Sequence, residues 1–206
     1  AAFAFILNPN STYSSLNNVS VISNSWGGPD SNNTAWYEYL QEAQARGISV
    51  LASSGDSGDN PNSKKYVGTD FGFPASMEFN NFGITSVGGD TLKLNSNLHI
   101  LNETAWYISA NDTADSGPAG SSGGISSIFN ETSWQKDTEA NNVIQNKGLG
   151  VPDISAIANN TFVLISISGS TGYYRFWGTS IASPVTAGIV AEMDAVLNHY
   201  NQSNLG

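Results

Sequence analysis

Two short stretches place chemistry-bearing residues at turns. In Phe176-Trp177-Gly178-Thr179-Ser180-Ile181-Ala182-Ser183-Pro184, small residues deliver a serine to the start of an apolar-periodic segment that runs to Tyr200. A hydroxyl there lies where unpaired backbone N–H groups and the positive end of a helix dipole favour an oxyanion, which suits a nucleophile. Serine is also a common helix N-cap, so the motif alone has two readings. In the second stretch, Ser54-Gly55-Asp56-Ser57-Gly58-Asp59, an aspartate sits in a glycine-rich turn. Taken alone, Asp56 reads as a turn residue capping a neighbouring amide.

The elements around these turns decide between the readings. From Ser180 onward, Ile181, Val185, Ile189, Met193, Val196, Leu197 and Tyr200 recur at helical steps. That spacing predicts a helix burying this face, with Pro184 tolerated in its first turn. Residues 19–26 alternate as a strand and stop at Gly27-Gly28-Pro29. A helix is expected over 33–46, with Trp36, Tyr39, Leu40 and Ala43 as its buried stripe and Gly47 as its close. A second buried strand follows at 48–53. Strand, helix, strand implies a parallel unit, and sites lie beyond the carboxyl ends of such strands. The Ser25-Trp26-Gly27 and Gly55-Asp56-Ser57 loops should therefore share one edge.

The remaining segments are coarser. The apolar run 1–7 reads as a buried strand, and 83–89 as another that leaves through Gly88-Gly89. A strand pair is expected over 92–101 and 103–108, a polar glycine- and serine-rich loop over 111–124, and a helix over 141–146. Residues 151–156 read as a strand edge, and 162–168 with 173–177 as a hairpin about Gly169-Ser170-Thr171-Gly172. No repeat or linker divides the chain, so 1–206 reads as one domain.

Composition removes several classes of function. With 7 Lys+Arg against 17 Asp+Glu and a net charge of −10, a polyphosphate partner is repelled, so no nucleic acid is expected. Charged residues are only 12% of the chain, a surface that changes little as carboxylates protonate and so suits acidic surroundings. The absence of cysteine excludes disulfides, thiolate catalysis and cysteine-ligated metals. Asn-x-Ser/Thr sequons at Asn10, Asn18, Asn32, Asn102, Asn111, Asn130, Asn159 and Asn201 point to a secreted or cell-surface glycoprotein. Such sequons also arise by chance in a chain rich in Asn, Ser and Thr. No stretch approaches the ~20 apolar residues of a membrane span, and no signal peptide is visible.

Several blocks occur together in one order. They are Val21-Ile22-Ser23-Asn24-Ser25-Trp26-Gly27-Gly28, Gly47-Ile48-Ser49-Val50-Leu51-Ala52-Ser53-Ser54-Gly55-Asp56-Ser57-Gly58, Phe73-Pro74-Ala75-Ser76 and Val87-Gly88-Gly89. Gly123-Gly124-Ile125-Ser126, Trp134-Gln135, Val151-Pro152-Asp153-Ile154-Ser155-Ala156 and Gly178-Thr179-Ser180-Ile181-Ala182-Ser183-Pro184 complete the series. In this the chain resembles the sedolisins, serine-carboxyl peptidases with a subtilisin-like fold. The resemblance implies an α/β three-layer architecture with a mostly parallel twisted sheet flanked by helices. It gives Ser180 the place of the nucleophile and Asp56 that of the oxyanion-hole acid, a role a carboxyl group fills only while protonated. Ser25, Trp26, Gly27 and Gly28 are then expected on one wall of a peptide cleft, and Gly123, Gly124 and Ser126 on another; Trp26 reads equally as core filler.

Two other protease readings fail. Gly55-Asp56-Ser57-Gly58 has the form of the chymotrypsin-type nucleophile motif, but too few residues precede it for that double barrel. Subtilisins proper need a histidine base at a Gly-rich helix start, whereas His99 and His199 lie in a strand-like run and at a helix end. The departure from the sedolisin pattern concerns the base. That family carries a glutamate and an aspartate four residues apart, well ahead of the Ser-Trp-Gly strand, and no Glu or Asp precedes Ser25 here. The expectation is therefore a partial catalytic domain, lacking the segment with the Glu and Asp and lacking the family's calcium site, which falls beyond Gly206. No metal or cofactor is expected in this chain, and an associated N-terminal fragment of the same precursor is the expected partner beside the peptide substrate. The function implied is an acid-acting serine endopeptidase. The alternative is a non-catalytic, glycosylated cell-surface or cell-envelope protein that keeps the fold as a structural or peptide-binding module.

Overall fold

The alternating strand at 19–26 and the apolar strand at 48–53 become β1 (Val21–Asn24) and β2 (Ser49–Ser53), parallel and in register from Val21 beside Ser49 to Asn24 beside Ala52. The computed structural model describes residues 2–8, 11–58, 71–109, 118–138 and 141–206. The crossover between the two strands is a 3₁₀ turn, Thr34–Trp36, followed by α2 (Tyr37–Ala45). Leu40 and Ala43 are buried on α2, and Gly47 closes it at φ +65°, a conformation favoured by glycine. The sheet continues with β3 (Thr85–Leu94) parallel to β2, and β5 (Ile154–Ile157) parallel to β3, while β4 (Ile100–Ala105) runs antiparallel to the second half of β3. The strand order is β1-β2-β3-β5.

Both faces of this sheet are covered, which is why β2 reads as a continuous apolar run. Val50 and Ala52 join a core with Phe3, Leu7, Ile22, Leu40 and Ala43, and Leu51 points the other way to join Val87, Trp106, Ala158 and Ala182. Helices α1 (Ala2–Leu7) and α2 pack together on the first side. On the second side α5 (Thr179–His199) contacts β1, β2, β3 and β5. The short helices α3 (Ser133–Lys136) and α4 (Asn141–Ile144) lie in the segment before β5. The hairpin of β6 (Thr161–Ile167) and β7 (Ser170–Phe176) delivers the chain to α5. Its two-residue turn, Ser168-Gly169, has positive φ at both residues, as a tight hairpin turn requires.

Four expectations are corrected. Residues 2–7 form a helix and not a strand: a short apolar run fits either period, and here Phe3 and Leu7, four apart, meet the core while Arg46 donates to the Leu7 carbonyl at the helix end. β3 does not leave at Gly88-Gly89 but runs through them, because a Cβ at Gly88 would lie 2.7 Å from Pro152 Cγ and one at Gly89 2.6 Å from Ala158 Cβ. Those glycines permit close overhead packing; the predicted pair 92–101 and 103–108 becomes the end of β3 against β4.

The third correction concerns α5. Its buried residues are Thr179, Ala182, Ser183, Thr186 and Asp194, whereas Ile189, Met193, Val196 and Tyr200 are more than half exposed. Small side chains let the helix backbone approach the sheet, so Ile189, Met193 and Val196 face outward while Ile181, Val185 and Leu197 stay half-buried. Finally, α5 is long and apolar enough, by length and composition, to cross a membrane, with a mean hydropathy of 1.3 over its most apolar stretch. Its contacts with four strands account for it as a helix laid on the sheet.

Candidate active site

The carboxyl ends of β1 and β2 and the amino end of α5 converge on one cleft of about 160 Å³. Trp26, Gly27 and Gly28 form one side, residues 53–56 a second, Phe71 and Gly72 a third, and Thr179 and Ser180 complete the wall. Asp56 is the one titratable side chain among those lining it. The two loops expected to share an edge therefore do so, as parallel pairing demands.

Asp56 is fixed from across the chain. Its Oδ1 accepts hydrogen bonds from the Thr179 N–H and the Thr179 hydroxyl, both at 2.8 Å, and that hydroxyl accepts from the Gly55 N–H at 3.1 Å. The carboxylate thereby satisfies an orphan amide at the start of α5. Gly178 has φ +110°, and a Cβ there would lie 2.9 Å from Asp56 Oδ2, so only glycine fits between the hairpin and the carboxyl group. The Asp56 turn is held in turn by Gly120, which bonds both the Asp56 carbonyl and the Gly58 N–H, and by Ser122, which accepts from Ser57 N–H. Ser180 is half-buried, one residue into the helix. Its carbonyl accepts from the Ser25 hydroxyl at 2.9 Å. Among the described residues its own N–H has no partner, while Ile181 N–H bonds Gly178 C=O.

Ser180, Asp56, Trp26, Gly27 and Gly28 are brought together. Trp26 is 49% exposed and packs its ring 5.7 Å from Phe73 and 5.8 Å from Trp36, so it is both wall and packing element. Gly28 pairs with Phe73, and a Cβ on Gly72 would fall 1.8 Å from the Gly28 carbonyl. Ser25 is exposed, with its hydroxyl engaged by α5. Gly123 and Gly124 stand behind the third wall: Gly124 pairs with Val151, and a Cβ on it would meet the Phe71 ring at 3.1 Å.

Ser126 departs from its expected place on the cleft wall. It is 1% exposed, donates to Asp30 Oδ2 at 2.8 Å and accepts from the Ile128 and Phe129 N–H groups. Asp30 Oδ1 accepts from Ser76 at 2.5 Å, so this aspartate ties three loops beneath the cleft. Nothing in the sequence around Asp30 marked it except its place just after the Gly-Gly-Pro turn.

A second cavity, about 460 Å³, opens at the opposite edge, beside the amino ends of β3 and β5. Glu78 and Asp153 line it with Phe79, Phe82 and Trp134. Burial, then the Asp153 charge, pushes the Glu78 carboxyl up to about 9, and burial also raises Asp153, against the hydrogen bond it accepts from Ser86 N–H at 2.7 Å. Sequence reasoning missed Glu78, which precedes no recognisable motif. His99 and His199 are exposed and distant in chain and contact from the cleft, at a hairpin turn and at the end of α5. Among the described residues no group of three or more His, Asp or Glu side chains is placed to hold a metal ion. The sequons at Asn18, Asn32, Asn102, Asn130 and Asn201 are exposed and Asn159 is half-buried; Asn10 and residues 111–117 of the 111–124 loop, Asn111 among them, lie outside the described residues.

Comparisons with known proteins bear on the family and the fold. The sequence model of the Subtilase family matches residues 6–205. Kumamolisin from Bacillus sp. (strain MN-32) is 32% identical over 187 residues, covering 86% of this chain and 31% of that protein. Tripeptidyl-peptidase sed4 of Aspergillus fumigatus is 30% identical over 215 residues, covering 90% of this chain and 31% of its own length. The chain thus spans about a third of these relatives. Among solved structures, Pseudomonas sedolisin, a serine-carboxyl proteinase complexed with pseudo-iodotyrostatin, superposes with a TM-score of 0.67 at 27% identity over 93% of this chain and 52% of that one. Sphericase, at 22% identity and a TM-score of 0.55 over 98% of this chain and 50% of that one, shares the fold.

Proposed function

We propose, on the premise that this chain belongs to the subtilase family and is of sedolisin type, that the complete protein is a serine endopeptidase acting at acidic pH. The observation that carries the reading is the meeting of Ser180 and Asp56 at one cleft, at the start of one helix. In this scheme Ser180 Oγ attacks the scissile carbonyl and loses its proton to a base. The tetrahedral oxyanion is met by the Ser180 N–H and by a proton on Asp56. Because Oδ1 of Asp56 accepts two hydrogen bonds from Thr179, Oδ2 is the oxygen that carries the proton. Collapse expels the amine, and water hydrolyses the acyl-serine. Acidic pH keeps Asp56 able to donate.

In this reading the base is supplied from sequence outside these 206 residues; among the described residues the cleft offers no second titratable group. A glutamate and its aspartate partner on an associated N-terminal fragment of the precursor supply it. The outward apolar face of α5 and the exposed Phe162, Leu164 and Tyr173 of the hairpin are surface that such a fragment would cover. An extended peptide pairs along Trp26, Gly27 and Gly28. The sequons fit a secreted or cell-surface protein. The lack of a second titratable group among the described residues of the cleft favours one second reading, a non-catalytic glycosylated surface or envelope protein that uses the fold as a structural or peptide-binding module. Cleavage of a peptide at acidic pH by the whole protein, lost in Ser180→Ala, supports the peptidase; a precursor with no Glu-x-x-x-Asp helix upstream and no cleavage supports the module.

A further inference from the structure

We infer that Ser25 is a positioning residue whose hydroxyl replaces the helix hydrogen bond that Pro184 cannot make to the carbonyl of Ser180. The inference rests on the reading of Ser180 as nucleophile and adds to it. In an α-helix the Ser180 carbonyl accepts from the N–H of residue 184. Pro184 has no N–H, and its ring crowds that same carbonyl. It lies at the sixth residue of α5, past the first turn where a proline would be free of this cost. The sequence expectation of a harmless first-turn proline is thus replaced by a specific orphan acceptor, on the residue that carries the chemistry.

The structure supplies a donor from another element. Ser25 Oγ lies 2.9 Å from the Ser180 oxygen, 155 residues away in the chain. Strand alternation explains the reach: Ser23 and Ser25 follow Val21 on the α5 side of β1, and Ser23 Oγ lies 2.9 Å from Ser183 Oγ. Two serines two apart on the strand therefore hold two serines three apart on the helix. On the other side, Asp56 and Gly55 hold Thr179. The peptide group that follows the Ser180 Cα and the residue that precedes Ser180 are thus both held by groups outside the helix, which restricts the direction of its side chain. A proline four residues after the nucleophile removes the internal competitor for that outside bond.

The test uses the complete protein and peptide hydrolysis at acidic pH. Ser180→Ala comes first: retained activity there overturns the nucleophile reading itself. With that reading intact, Ser25→Ala lowers kcat by about 10–100-fold with KM little changed, as expected for a misplaced reacting atom. The double variant Ser25→Ala/Pro184→Ala restores an amide to the orphan carbonyl and recovers most of that loss, while Pro184→Ala alone stays within about twofold of the parent. The thermal midpoint follows the same order, falling in Ser25→Ala and returning in the double variant, and this readout does not depend on catalysis. Unchanged kcat in Ser25→Ala overturns the inference. So does a raised KM at constant kcat, which would make Ser25 a substrate contact, or a double variant no better than Ser25→Ala.

Discussion

At the carboxyl ends of β1 and β2 a carboxylate meets donors, whereas at the amino ends of β3 and β5 a carboxyl group meets another carboxyl group. Asp56 takes two hydrogen bonds from Thr179 and lines an open cleft together with a serine at a helix start. Glu78 is 8% exposed, its nearest ionisable neighbour is Asp153, and its Oε2 has no partner among the described residues. The same side-chain chemistry is thus held by hydrogen-bond donors beside a cleft at one edge and set against a like carboxyl group at the other. Accessible donors and a helix terminus make a reactive site; desolvation and a like neighbour make a pH-dependent element of stability.

The contrast breaks most sharply at Ser180. Ser180→Ala in the complete protein should lower peptide hydrolysis by about 10⁶-fold, measured as kcat, with the fold retained by circular dichroism. Asp56→Ala should cost about 10²–10³-fold in kcat through loss of the oxyanion donor. It should also lower the thermal midpoint, since the Thr179 amide loses its cap. Asp56→Asn sharpens the point, because its amide can accept at Oδ1 and donate from Nδ2 at any pH. Its kcat should therefore exceed that of Asp56→Ala, since the amide keeps both the Thr179 cap and a donor.

How far the sequence reached follows the same division. Ser180, Asp56 and the Trp26 wall were legible because local turn signals mark the ends of strands, and parallel pairing then forces those ends to one edge. The buried face of α5 was not legible. Periodicity identifies an apolar stripe, but the choice between that stripe and Thr179, Ala182, Ser183 and Thr186 depends on how closely the helix backbone must approach the sheet. Residues 2–7 were misread for a related reason, since six apolar residues satisfy two periods and only the placing of Phe3 and Leu7 in the core selects one. Glu78 and Asp153 lie 75 residues apart by number and meet only after β3 and β5 pair. Ser126, expected at the cleft, was claimed by Asp30, a partner 96 residues away.

Two smaller effects test the packing on each side. Gly178→Ala places a Cβ 2.9 Å from Asp56 Oδ2 at φ +110°, so it should destabilise the protein by about 1–3 kcal/mol and lower kcat together, read by denaturant midpoint and turnover. At the other edge, the folded protein holds a proton on Glu78 up to about 9, while the unfolded chain releases it near the ordinary glutamate value of 4.5. For an acid with a raised folded value, this stability is fully present below about 4.5 and is lost as the pH rises toward 9. The thermal midpoint should fall over that window, and Glu78→Gln should flatten the fall without abolishing acid-pH activity. A parent whose stability instead rises from pH 5 to 8, or a Glu78→Gln variant with an unchanged slope, would contradict the carboxyl-pair account.

The most direct test of the central assignment is to trap the acyl-enzyme. The complete protein is mixed with an activated peptide ester at acidic pH, quenched in strong acid within the first turnover, digested and weighed by mass spectrometry. The assignment predicts the acyl mass on the peptide that contains Ser180, and its disappearance in Ser180→Ala. An acyl group on any other residue, or ester hydrolysis in Ser180→Ala at the parent rate, would contradict it.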